Sequence, residues 1–110
     1  MAITSNVKQT IALAADGLAQ KYVGASATTI TKARMMSVTG QSSAADGSIK
    51  IYNEDDDSKT AAALVFEAKW ATAANETQTF SIPGEGIYCN TGIYVDLNNC
   101  DYCTIIGTFT

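Results

Sequence analysis

The segment Phe80-Ser-Ile-Pro-Gly-Glu-Gly-Ile-Tyr-Cys-Asn-Thr-Gly-Ile-Tyr-Val-Asp-Leu97 combines apolar alternation, a Pro-Gly turn and a doubled Gly-Ile-Tyr unit. Phe80 and Ile82 alternate with Thr79 and Ser81, Pro83-Gly84 stops the run, and Ile93, Val95 and Leu97 alternate with Tyr94 and Asp96. A period of two sends successive side chains to opposite faces of a sheet, so the segment is expected as strand, turn, strand, turn, strand. The doubled unit spans too few residues to signal a repeat protein. Its glycines are expected to allow a tight turn or bulge, so that Ile87 and Ile93 both enter one core.

The same period recurs upstream. Val7 to Leu13 reads as a first strand with Val7, Ile11 and Leu13 on one parity. Ile11, Ala15, Leu18 and Tyr22 also stand at helical spacing, but Asp16-Gly17 is a strong turn dipeptide, which favours short strands around it. Thr28 to Val38 is rich in β-branched residues, with Met36 and Val38 expected on one face and Met35 and Ser37 on the other. Gln41 to Gly47 reads as a small-residue loop. Ser48 to Asn53 then reads as a strand with Ile49 and Ile51 inward and Lys50 and Tyr52 outward.

Ala61 to Trp70 poses a choice between periods. Its alanines favour helix, whereas Leu64, Phe66, Ala68 and Trp70 alternate with Val65, Glu67 and Lys69. Burying a large apolar side chain stabilises by about 1.5–3 kcal/mol, against fractions of a kcal/mol for helix propensity, so strand is expected. Further strands are expected at Thr77 to Ile82, Gly86 to Cys89, Gly92 to Leu97 and Tyr102 to Phe109, with Asn98-Asn99 as a turn.

About eight short antiparallel strands, one proline and no convincing helix indicate an all-β, single-domain β-sandwich of jelly-roll-like type, over residues 9–110 behind an N-terminal arm at 1–8. A chain of 110 residues is long enough to bury roughly two-thirds of its unfolded surface without a metal or disulfide. Met1 to Lys8 lacks the features of a secretory signal, and no apolar run reaches membrane-spanning length, so folding in cytoplasm is expected. Asn75-Glu76-Thr77 fits the glycosylation triplet, which is short enough to arise by chance.

Seven Lys and Arg stand against eleven Asp and Glu; Glu54, Asp55, Asp56 and Asp57 are four of those acids, and without them the counts are seven and seven. The acidity is therefore local. Lys32 with Arg34 is the nearest approach to a cationic cluster, too little for a phosphate backbone, so no nucleic-acid partner and no membrane partner are expected.

Candidate chemistry is sparse. The chain has no histidine, so the usual general base and the usual activator of a nucleophile are missing, and no catalytic residues and no cofactor are expected. Glu85, Asp96 and Asp101 sit in or beside turns, where polar residues are mostly solvated. Cys100 and Cys103 have C-x-x-C spacing and Cys89 would be a third ligand, but a tetrahedral zinc site lacks its fourth. Buried thiols are the better reading. The loop from Asn53 to Ser58 reads by default as a solvated charge run with no metal; its alternative is calcium held by Glu54, Asp55, Asp56 and Asp57, without the central glycine or final glutamate of an EF-hand.

From Thr31 to Gly107, the order of Arg34-Met-Met-Ser-Val-Thr-Gly40, Asp46-Gly-Ser-Ile-Lys-Ile51, Ile82-Pro-Gly-Glu-Gly-Ile87 and Thr91-Gly-Ile-Tyr-Val-Asp-Leu97 resembles small β-sandwich structural proteins of tailed, notably marine, bacteriophage virions. The resemblance implies a structural virion component without catalytic residues. A capsid decoration or cement protein is the leading expectation, assembled in the host cytoplasm and docked on the head lattice. Its partner would be the phage major capsid protein or another virion protein. A homo-oligomer, expected as a trimer, would gain avidity from several weak contacts. The expected shell contacts are Ala2, Ile3 and Thr4 of the arm and Gln41, Ser42 and Ser43 of the following loop. The alternatives are a portal-, tail- or fibre-associated component, or a calcium-assisted glycan-binding module using Trp70 and the tyrosines.

Overall fold

Two ten-residue strands, each alternating between buried and partly exposed positions, set the architecture. The computed structural model describes residues 9–23, 26–71 and 75–109. Within them the strands are β1 (Gln9–Leu13), β2 (Gly17–Leu18), β3 (Gln20–Val23), β4 (Ser26–Thr29), β5 (Ala33–Ser42), β6 (Ser48–Tyr52), β7 (Leu64–Lys69), β8 (Thr77–Ser81), β9 (Ile87–Cys89), β10 (Tyr94–Asn98) and β11 (Cys100–Phe109). The proposed arm at 1–8 lies outside the described residues.

All pairings are antiparallel. One sheet runs β1-β11-β5-β8, with β9 occupying the stretch of β5 that β8 leaves open; the second runs β2-β10-β6-β7; β3 and β4 form a separate ribbon. The fold is a single all-β domain of two sheets in a broadly sandwich-like arrangement, nine strands in the sheets where about eight were expected. Inner faces meet in one core in which Ile30, Met35, Val38, Ile49, Ile51, Ile93, Val95, Cys103 and Ile105 have no exposed surface. Phe80 of β8 receives Phe66 of β7 and Trp70 edge-on, with ring centroids 5.8 and 6.0 Å away. Such edge-to-face pairs add to plain burial, and here they join the two sheets.

The expected alternation holds at Ile49 and Ile51, at Ile93 and Val95, and at Phe66, Ala68 and Trp70. Ile87 packs against the same core as Ile93. Elsewhere the strands depart from strict period two. Thr28 to Val38 is not one strand: Ile30 is fully buried between β4 and β5, its N–H bonded to the Ala19 carbonyl at 3.1 Å, and β5 runs on to Ser42. On β5 the partner register jumps from Ile106 with Ser37 to Gly107 with Met35, leaving Met36 as a bulge. Met35, not Met36, therefore shares the buried face with Val38. A second jump, from Ile51 with Phe66 to Tyr52 with Leu64, makes Val65 a bulge. Val65 packs on the core and Leu64 turns to solvent, contrary to expectation. Tyr52, expected outward, is buried opposite Tyr94 on the far side of the same sheet. The alanines take a compromise: Ala61–Ala63 form a single 3₁₀ turn before β7 begins.

Candidate functional site

The acidic segment after β6 is organised by Glu54. This carboxylate is buried, with one oxygen accepting the Lys59 N–H at 3.0 Å and the other the Thr60 N–H at 2.7 Å. Charge-assisted bonds to backbone donors are among the stronger hydrogen bonds in a protein. They hold Lys59 in a left-handed conformation, φ 54°, which is costly for a residue with a Cβ. Asn53 works beside it: its Oδ1 accepts the Thr91 N–H at 2.9 Å and its Nδ2 donates to Asn90 Oδ1 at 3.0 Å, clamping the turn between the two Gly-Ile-Tyr units.

The remaining acids of the loop do not converge on Glu54. Asp55, Asp56 and Asp57 are exposed; the Ser58 hydroxyl and then the Ser58 N–H, which Asp56 Oδ1 accepts at 3.0 Å, hold the Asp56 carboxyl below the usual range. Asn53, Glu54, Asp55, Asp56 and Thr91 border an open depression of about 410 Å³. Among the described residues, no group of three or more Cys, Asp or Glu side chains is arranged to hold a metal ion. The four acids weighed as calcium ligands thus include one, Glu54, whose two oxygens are already engaged in folding the loop.

Two of the three thiols belong to the interior. Cys89 and Cys103 are fully buried, and burial pushes them up to about 11 and about 12. Cys100 is half-buried and its thiol donates to the Ser48 carbonyl at 3.4 Å. Trp70 is also interior, so it does not offer an open ring for stacking on a sugar. Its Nε1 has no hydrogen-bond partner among the described residues, and Trp70 is one of the residues, with Asp46, Lys50, Lys69 and Asn98, that border a depression of about 510 Å³. Lys50 and Lys69 both approach Glu67, at 3.8 Å each, so one carboxylate is shared by two ammonium groups beside β7.

The five-stranded sheet has an outer face of polar and hydroxyl-bearing residues with Ile106 among them. Thr104, Thr39 and Thr79 form one row across β11, β5 and β8; Ile106, Ser37 and Ser81 form the next, and Tyr102, Gln41 and Thr77 a third. None of these nine residues carries a charge. Thr39 and Thr79 join through their hydroxyls at 2.9 Å. At one end of this face Arg34 lies 5.3 Å from the ring centroid of Tyr88, which is 52% exposed, and donates to the Glu85 carbonyl at 3.2 Å. The hydroxyl residues at alternate positions, Ser37 and Thr39, Thr77, Thr79 and Ser81, and Thr104 and Thr108, interrupted by Ile106 and followed by Gln41 on β5, are the sequence signal for this face.

The expected contact residues are dispersed. Ala2, Ile3 and Thr4 lie outside the described residues. Gln41 and Ser42 end β5 and are not part of the loop, which begins at Ser43. Gln41 belongs to the hydroxyl-rich face, Ser43 is exposed, and Ser42 is fully buried, its Oγ accepting the Glu76 N–H at 3.2 Å. Ser42 therefore serves the fold and offers no side chain to a partner. Among the described residues, no helix is long and apolar enough to cross a membrane. No family of known proteins, no curated protein and no solved structure matches the chain.

Proposed function

We propose that this chain is a structural virion protein, a capsid decoration or cement protein that adheres to the phage head lattice and performs no catalysis, and that its two sheets are the halves of a jelly roll. The pairing scheme carries this reading. With the ribbon and β9 set aside, eight strands remain in chain order: β1, β2, β5, β6, β7, β8, β10 and β11. The first pairs with the last, the second with the seventh, the third with the sixth and the fourth with the fifth. That is one long hairpin rolled on itself, the plan of the double-sheet jelly roll, which recurs in viral capsid and lectin domains.

A fold hosts many functions, so the surface has to supply the rest of the argument. The neutral, hydroxyl-lined outer face of the five-stranded sheet offers area and hydrogen bonding without a reacting group, which suits docking. Weak contacts of this kind become strong when many copies sit on one lattice. The resemblance in Arg34 to Gly40 and Ile82 to Leu97 points the same way, with the major capsid protein as partner and the virion as location.

Quantitative mass spectrometry of purified particles tests the reading. A cement protein is present in proportion to the major capsid protein. Presence in only a handful of copies replaces it with a portal-, tail- or fibre-associated role, and absence from particles ends the virion reading.

A further inference from the structure

We propose that the free edge of β8 is the contact edge of a two-fold dimer, pairing antiparallel with β8 of a second copy of this chain about an axis at Thr79. In an antiparallel strand the backbone N–H and C=O of one residue point to the same side, and those of the next residue to the other. The Ile82 N–H bonds to the Met36 carbonyl at 2.9 Å and the Ser42 N–H to the Glu76 carbonyl at 3.0 Å, both across the β5 pairing. Residues 76, 78, 80 and 82 thus spend their backbone groups on β5. Thr77, Thr79 and Ser81 point theirs away from the sheet, and all three residues are exposed. The close approach of the Thr39 and Thr79 hydroxyls fits the same alternation, since side chains stand nearest in the pairs without mutual backbone bonds.

Among the described residues no strand pairs with the outward groups, which form an unguarded edge. Natural sheets blunt such edges with charge, bulges or very short strands, and the other sheet does so here. Its edge strand β7 carries Glu67, Lys69 and the Val65 bulge, and its opposite edge β2 has two residues. β8 has none of these devices: Thr77-Gln-Thr-Phe-Ser81 contains no charge and no proline.

A second copy of β8 is the occupant that fits. The strand is bounded by Asn75, whose φ of 59° departs from extended geometry, and by Pro83, which has no N–H to give. Thr79 is the centre of what remains. With the axis there, Thr79 meets its own symmetry mate, Thr77 meets Ser81, and every outward N–H finds an outward C=O. Moving the axis one residue toward Pro83 sets Thr77 against a residue with no donor. Moving it the other way sets Ser81 against Asn75. The central register also places Glu76 opposite Ile82, so no like charges face each other across the ladder. The row Thr104, Thr39, Thr79 would continue through the axis into the partner's row, giving one sheet across both copies. A two-fold edge builds dimers, in place of the trimer expected from sequence.

Sedimentation equilibrium over a concentration series, with hydrogen exchange on the assembled protein, tests this. The wild type is expected to dimerise, with the amides of Thr77, Thr79 and Ser81 protected in the dimer and fast in the monomer, while those of Gln78 and Phe80 are protected in both. Thr79→Pro removes an outward N–H that β5 does not use, so circular dichroism stays that of the folded protein while dimerisation weakens at least about tenfold. Thr79→Lys, which apposes two like charges at the axis, weakens it in the same way and decides the matter should the proline variant fail to fold. A wild type that stays monomeric overturns the proposal. So does a trimer or dimer that both variants leave intact, or outward amides that exchange as fast in the assembly as in the monomer.

Discussion

Met35 and Val38 stand three residues apart on β5 and both bury their side chains completely on the same face. A regular strand would send them to opposite faces. The bulge at Met36 absorbs the odd residue, and two glycines make room for it: a Cβ on Gly107 would overlap the Arg34 carbonyl oxygen, and one on Gly86, at φ 81°, would overlap the carbonyl oxygen of Met35. The bulge thus brings β9 and β11 close against one short stretch of β5.

Gly107→Ala is expected to destabilise the protein by about 1–3 kcal/mol, because the backbone it meets cannot rotate aside as a side chain would. Gly17→Ala is the control. An added Cβ there meets no atom within 4 Å, so its effect should stay within about 0.5 kcal/mol. Urea midpoints of the two variants against wild type give the comparison, and equal midpoints would remove the argument for a close approach at Gly107.

Alternation in the sequence was enough to find the strands that bury Ile49, Ile51, Ile93 and Val95, since each lies in a stretch where period two runs unbroken. It failed at Met36 and Val65, where one extra residue reverses every position on one side of the bulge. Nothing in the local residue types marks those positions, because a bulge is a property of two strands and the partner lies far away in the chain. Cys89 and Cys103 were legible as interior residues from the usual burial of free cysteine, whereas Cys100 is only half-buried. Glu54 was not legible. One of four consecutive acids folds inward to bind backbone N–H groups, and a run of like residues gives no sign of which one it is.

The Val65 bulge makes a prediction on β7. Phe66 packs edge-on against Phe80 and on the core, so Phe66→Ala should cost about 3 kcal/mol. Leu64, 37% exposed, should cost under about 1 kcal/mol when cut to alanine. Strict alternation through Leu64 would make both substitutions expensive, so chemical denaturation of the pair separates the two registers.

Glu54 makes the next. Glu54→Gln keeps the shape but gives up the charge and turns one acceptor into a donor facing a backbone N–H, an expected loss of about 1–3 kcal/mol. Asp55→Asn, at an exposed neighbour in the same acidic run, should stay within about 0.5 kcal/mol. Thermal melts of both variants, with and without calcium, distinguish a carboxylate that organises its loop from one held ready for a cation. Only the latter predicts a midpoint that rises with calcium in the wild type and not in Glu54→Gln.

The buried thiols make a prediction on pH. An unfolded cysteine ionises near pH 8.5, whereas burial holds Cys89 and Cys103 protonated up to about 11 and about 12. Above pH 8.5 the unfolded chain therefore binds fewer protons than the native one, and stability falls as pH rises. The contribution of each thiol is fully present below pH 8.5 and is lost through the window up to its native value, at a rate of up to about 1.4 kcal/mol per pH unit. The informative quantity is a difference between proteins, which isolates the one thiol. Between pH 8 and pH 10, the urea midpoint of Cys103→Ala should fall less than that of wild type, even though the variant starts lower for want of the buried sulfur. A parallel fall in both proteins would mean that the Cys103 thiolate is as well accommodated in the fold as in water.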